Sequence, residues 1–140
     1  MTDQRAIGIV VAHGGMAQGI VDAVKKIAGV EDGVLVAVSN EGCNPDQLKC
    51  QLLEVIGERR AIVFTDLAAG SCTLAARLTC RECVDIPVLT GVNLPMLLDF
   101  VFHLDMPTTE LAERLVGKAQ SGVKAILPNP RTDADPAAAR

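Results

Sequence analysis

At 140 residues, 49% of them hydrophobic but only 2% aromatic, the chain is the size of one domain whose core must be packed from aliphatic side chains. A formal charge of -4 offers no basic footprint for a nucleic-acid backbone, and the lack of Trp and Tyr leaves little to stack on bases. No apolar run approaches the roughly eighteen residues of a membrane span, and the start runs straight into a strand-like segment with no signal-peptide pattern, so a soluble, cytoplasmic protein without membrane insertion is expected.

Residues 6–12 (AIGIVVA) form a β-branched aliphatic run stopped at once by His13-Gly14-Gly15, which predicts a buried strand. Over 16–28, Ile20, Val21, Val24, Ile27 and Ala28 recur at three- and four-residue spacing, Lys25 and Lys26 fall on the opposite face, and Gly29 is a stop, so a helix follows. Residues 33–39 (GVLVAVS) predict the second strand. Asn44-Pro45-Asp46 opens a second helix running to about Ile56 and ended by Gly57. The pattern repeats with a third strand at 60–65 (RAIVFT) and a third helix at 71–83. A fourth strand is expected at 86–90 (IPVLT), a fourth helix from Leu94 to about His103, and a fifth at 107–121. The run 123–127 has no helix after it and reads as one more short strand, while the tail 128–140, with its Pro, Asp and small residues, reads as disordered. Residues 1–127 are then one domain. Strands alternating with helices predict an α/β fold with a doubly wound parallel sheet.

Five cysteines, Cys43, Cys50, Cys72, Cys80 and Cys83, are an odd number in a chain with a core of its own, so no disulfide framework is expected. Cys80 and Cys83 make a C-x-x-C, but a redox pair opens a helix, where the dipole lowers the thiol pKa, and this pair falls at the end of one. A zinc site of the four-ligand kind would need a second pair, and Cys43 and Cys50 are too loosely spaced to supply it. No metal is expected.

In parallel sheets ligands gather at the carboxyl ends of the strands, around the point where strand order reverses. The residues there are His13-Gly14-Gly15, Asn40-Glu41-Gly42, the stretch from Asp66 to Ser71, and Gly91-Val92-Asn93. His13 and Asp66 lead this set, because a carboxylate that accepts one imidazole N–H fixes the tautomer and leaves the other nitrogen as a nucleophile. Gly14 and Gly15 turn the chain into the first helix, and Gly70-Ser71 opens the third, so unpaired N–H groups and a hydroxyl converge on a place suited to an anion. His103, late in an amphipathic helical stretch, is ordinary there and is assigned no chemistry. There is no G-x-x-x-x-G-K-[ST], no G-x-G-x-x-G after the first strand, and no H-E-x-x-H. Ser71 lacks the G-x-S-x-G elbow of esterases. A nucleophilic histidine with an orienting carboxylate and anion-binding donors fits covalent phosphoryl transfer.

At these residues the sequence resembles the mannose-family IIA component of the bacterial phosphoenolpyruvate-dependent sugar phosphotransferase system. The start IGIVVAHGGMAQGI, the central FTDLAAGSCTLAARL and the later LTGVNLPMLL follow the family's order and spacing over about 6–127, GVNLPML being the most specific piece. The resemblance implies a four-stranded parallel sheet plus an antiparallel C-terminal edge strand exchanged in a homodimer. It implies that His13 is phosphorylated, that Asp66 orients it, and that Ser71 contacts the phosphoryl group; beside these, the strand-end turns make Gly14 and Gly70 further phosphoryl-binding candidates and put Asn93 on the site rim. The implied donor is the histidine-containing phosphocarrier protein and the implied acceptor a separate IIB component, with no metal or organic cofactor. The central motif departs from the family's usual Asp-x-x-Gly-Gly-Ser-Pro, with Ala69 for a glycine and Cys72 for the proline. A regulatory protein whose His13 phosphorylation state controls partner binding without sugar transport is the alternative.

Overall fold

The computed structural model describes residues 5–82 and 86–128. Its centre is built from two strongly aliphatic runs of the sequence, β1 (Ile7–Ala12) and β3 (Ala61–Thr65), in which every residue is buried below a tenth of its surface. Strands covered on both faces need no polar alternation, which is why they read as unbroken apolar runs. They are flanked by β2 (Leu35–Ser39) and β4 (Val88–Leu89), giving the order β2-β1-β3-β4 with every pairing parallel.

Five helices cover the sheet: α1 (Met16–Ala28), α2 (Pro45–Ile56), α3 (Ser71–Glu82), α4 (Leu94–Val101) and α5 (Thr108–Ser121). Alternate residues of the central strands face two separate cores. Ile7, Ile9, Val11 and Val63 pack with Leu48, Leu52 and Ile56 of α2 and with Ala75 and Ala76 of α3. Val10, Ala12, Ile62 and Phe64 pack with α1, α4 and α5. The sheet is therefore wound on both faces, as the strand and helix alternation predicts.

Local sequence sets the helix ends. Asn44 and Gln47 form a reciprocal capping box, with the Gln47 N–H donating to Asn44 Oδ1 at 2.8 Å and the Asn44 N–H donating to Gln47 Oε1 at 2.9 Å, and Pro45 follows at the first helical position. Gly29 closes α1 in the left-handed conformation at φ 66°.

Three boundaries differ from the sequence expectation. The expected fourth strand over 86–90 contracts to Val88–Leu89, because Pro87 has no N–H for the ladder and contributes only its carbonyl, which accepts from the Val63 N–H at 3.0 Å. The fourth helix stops at Val101 rather than His103, its end tightening into three-residue bonds from Phe102 to Asp99 and from His103 to Phe100. The run 123–127 forms no strand within the single chain; Val123, Ile126 and Leu127 stand 76%, 95% and 76% exposed. Cys83 of the C-x-x-C and residues 129–140 of the expected tail lie outside the described residues.

Gly8 shows how tightly the α1 side is packed. A Cβ there would stand 2.6 Å from Leu35 Cδ2, 2.8 Å from Phe100 Cε2 and 3.0 Å from Phe64 Cε2, where the two rings already meet edge to face at 5.3 Å between centroids. Gly8→Ala should lower stability by about 1–3 kcal/mol through overpacking. A denaturant midpoint unchanged from wild type would contradict this account of the core.

Candidate functional site

The chain leaves β1 in one direction to form β2 and recrosses it to form β3 and β4, so the order reverses between β1 and β3. His13 and Asp66 follow those two strands. His13 Nδ1 lies 2.7 Å from Asp66 Oδ2, and the same oxygen accepts the His13 backbone N–H at 2.9 Å. The other carboxylate oxygen accepts the Leu67 N–H at 3.0 Å. Asp66 is thus held from three directions. An ionised carboxylate only accepts, so Nδ1 carries the ring proton and Nε2 keeps its lone pair. The Asp66 side chain is 11% exposed and that of His13 45%, which puts the imidazole outward and the carboxylate inward.

Partial burial works to raise the Asp66 carboxyl pKa, but the hydrogen bonds and charge of His13 outweigh it and hold the group below its ordinary value of 3.8. A depressed carboxyl pKa stabilises the fold wherever the group is ionised in both states, and that contribution fades only as pH falls through the folded value. The stability gap between wild type and Asp66→Asn should therefore narrow as pH falls below about 4. A gap that stays unchanged over that range would contradict the assignment.

The turn from Asp66 to Gly70 is fixed from beneath. Buried Thr65 and Thr73 bond to each other through their hydroxyls at 2.8 Å, and both hydroxyls reach the Leu67 carbonyl. Gly70 has φ 106°, a conformation that side chains avoid, and a Cβ there would face His13 Cε1 at 3.7 Å and Nε2 at 3.9 Å. Glycine at this position leaves open the space in front of His13 Nε2. Ser71 opens α3, and the first bond along this helix runs from the Leu74 N–H to the Gly70 carbonyl at 3.0 Å, so the N–H groups of the first turn precede the helix's own bonding. Asn40 Nδ2, from the end of β2, donates to Ser71 Oγ at 3.3 Å, which leaves the serine proton free to donate elsewhere.

Comparison with known proteins places the chain in a family. Residues 8–116 match the family described as PTS system fructose IIA component. The chain belongs to that family. No curated protein sequence matches it. Among solved structures, phosphotransferase system component EIIA from Streptococcus agalactiae superposes with a TM-score of 0.79 at 26% identity, over 86% of this chain and 96% of that one. The mannose/sorbose-specific IIA subunit from Enterococcus faecalis gives 0.77 at 24% identity, over 89% and 98%. A sigma-54 interaction domain protein from Enterococcus faecalis shares the fold at 0.66 and 14% identity, over 86% and 95%.

Within this IIA fold the expected site residues are spread as follows. His13, Asp66, Gly70 and Ser71 meet at the switch point. Gly14 takes φ 58° in the turn into α1, and its carbonyl accepts from Ser39 Oγ at 3.2 Å, tying the turn to the end of β2. Asn93, expected on the rim, spends its side chain elsewhere: Oδ1 caps α4 through the Met96 N–H at 3.1 Å, and Nδ2 donates to the Ala119 carbonyl of α5 at 2.9 Å. It makes no hydrogen bond to His13, Asp66 or Ser71. His103 bonds the Asp99 carbonyl through Nδ1 at 2.8 Å, on a helix whose Asp99 also binds Arg114, a structural place that agrees with its having no assigned chemistry. Sequence reasoning gave no role to Asn40, Thr65 and Thr73, and it did not place Cys72, whose Sγ lies 3.9 Å from His13 Nδ1. Met16 at the start of α1, Leu67 next to Asp66 and Leu74 in the first turn of α3 are exposed. Among the described residues, no helix is long and apolar enough to cross a membrane.

Proposed function

We propose that this IIA protein is a cytoplasmic phosphoryl carrier in which His13 Nε2 takes a phosphoryl group from the histidine-containing phosphocarrier protein and passes it to a separate IIB component. The observation that carries the reading is the 2.7 Å bond from Nδ1 to Asp66, which leaves the lone pair on the outward nitrogen. In the acceptance step the Nε2 lone pair forms a bond to phosphorus while the bond from phosphorus to the donor's histidine breaks. Nδ1 keeps its proton on Asp66 throughout. The ring gains positive charge as the bond forms, and the Asp66 carboxylate offsets it. Gly70 gives the phosphoryl group room, and the Ser71 hydroxyl and the first N–H groups of α3 face its oxygens. Exposed Met16, Leu67 and Leu74 offer apolar area on which donor and acceptor dock in turn.

A chase experiment separates this from the regulatory reading, for which the fold shared with a sigma-54 interaction domain protein is the motive. Phosphorylated protein mixed with IIB components should lose its label to one of them. Label retained against every IIB component, with partner binding that differs between the two phosphorylation states, would make the protein a reporter instead of a carrier.

The same reading includes a homodimer completed by exchange of 123–127. Its motive is the exposure of Val123, Ile126 and Leu127 beside the two-residue edge strand β4, since an unpaired edge and a loose apolar strand invite each other. Truncation after Gly122 should yield monomers or aggregates. A truncated protein that light scattering finds still dimeric would count against the exchange.

A further inference from the structure

We propose that His13, Asp66 and Cys72 form a binding site for a thiophilic divalent ion of the zinc class, and that the bound ion switches the His13 nucleophile off. The second half rests on the reading of His13 as the phosphoryl acceptor; the first does not. One ligand atom from each residue lies within 4.8 Å of the other two. Nδ1 and Asp66 Oδ2 are 2.7 Å apart, and Nδ1 and Cys72 Sγ are 3.9 Å apart. A tetrahedral zinc ion with nitrogen at about 2.0 Å and sulfur at about 2.3 Å holds such atoms roughly 3.5 Å apart. Occupancy therefore asks the carboxylate to draw back from Nδ1 by several tenths of an ångström while the carboxylate and the thiol, within 4.8 Å of each other, close together. The imidazole, 45% exposed, has the freedom to make that shift.

The donor set selects the class of ion. One imidazole nitrogen, one carboxylate and one thiol suit zinc or cobalt, whereas magnesium and calcium take oxygen ligands alone. A cysteine thiol gives up its proton when it binds such an ion. On binding, the metal bonds to Nδ1, Oδ2 and Sγ. The thiol proton leaves to solvent, the ring proton moves from Nδ1 to Nε2, and Asp66 stays a carboxylate. One proton is released per ion. Nε2 becomes an N–H donor and has no lone pair left with which to attack phosphorus.

Cobalt(II) added to the full-length protein tests the site without any phosphoryl chemistry. The expected result is a thiolate-to-cobalt absorption band that saturates at one ion per chain, releases one proton per ion, and is displaced by zinc. Replacing a residue that only supports a ligand typically weakens metal binding 10–100-fold, so Cys72→Ser and Cys72→Ala, checked for folding by circular dichroism, should weaken it by at least about 100-fold and lose the band. Cys50→Ser, which alters an exposed thiol of α2, should keep it. No band in the wild type, or a band that survives both Cys72 substitutions, overturns the site. For the switch, purified phosphorylated phosphocarrier serves as donor so that no upstream enzyme meets the metal, and the zinc-treated rate is compared with the chelator-treated rate of the same variant. Wild type should show a large loss and Cys72→Ala little. A zinc-loaded wild type that accepts phosphate at its full rate overturns the switch and leaves the site. A wild type that accepts none even with chelator overturns the proposed function and the switch with it, while the cobalt band still decides the site.

Discussion

His13→Ala is expected to abolish phosphoryl acceptance while leaving the fold in place. No other described side chain offers a nucleophilic nitrogen at the switch point, since His103 lies at the end of α4 bonded to the Asp99 carbonyl. The cost to stability should be small, because the His13 ring is 45% exposed and packs in neither core. Asp66 loses one bond of three and keeps those from the His13 and Leu67 backbone N–H groups. That loss is worth at most about 1–2 kcal/mol. Radiolabel transferred from phosphoenolpyruvate through the phosphocarrier should appear on wild type as an acid-labile modification and be absent from the variant. Acid-labile label persisting on folded His13→Ala would place the chemistry on another residue.

Asp66→Asn should slow transfer by roughly 10²–10⁴-fold without abolishing it. The amide can keep an oxygen toward His13 only by aiming its NH2 at the Leu67 N–H, donor against donor. In the other orientation the NH2 faces Nδ1 and the His13 backbone N–H, which drives the ring proton to Nε2 and removes the nucleophile. Neither orientation offsets the positive charge that grows on the ring. Single-turnover rates with phosphorylated phosphocarrier measure the effect. A rate equal to wild type would remove Asp66 from the mechanism.

Much of this was legible in the chain. The central strands announce themselves because burial on both faces demands unbroken aliphatic runs, as in 6–12 and 60–65, and α2 announces its start through Asn44 and Pro45. His13 and Asp66 follow from the same logic, since strands running in parallel deliver their carboxyl ends to one edge of the sheet. What escaped is long-range or conditional. Asn40 meets Ser71 across 31 residues of sequence, and no local pattern marks that meeting. Thr65 and Thr73 look like any strand and helix threonines until the turn between them is built. Asn93 shows the converse: its position after β4 is that of a rim residue, while its side-chain bonds go to the start of α4 and to the Ala119 carbonyl. The fourth strand was drawn too long because an aliphatic run does not show which N–H groups find partners, and Pro87 has none to give. Cys72 reads as a small buried residue, which it is, and only the packing of α3 against β1 brings its sulfur beside the histidine ring.

The account turns on one nitrogen. Phosphorus–nitrogen correlation NMR of the imidazole-labelled protein, after incubation with phosphoenolpyruvate, the first enzyme of the system and the phosphocarrier, examines it directly. The predicted result is a single phosphoryl group bonded to Nε2 of His13, with a proton retained on Nδ1. Phosphorus bonded to Nδ1, phosphorus on His103, or no phosphoryl group on the protein at all would contradict it.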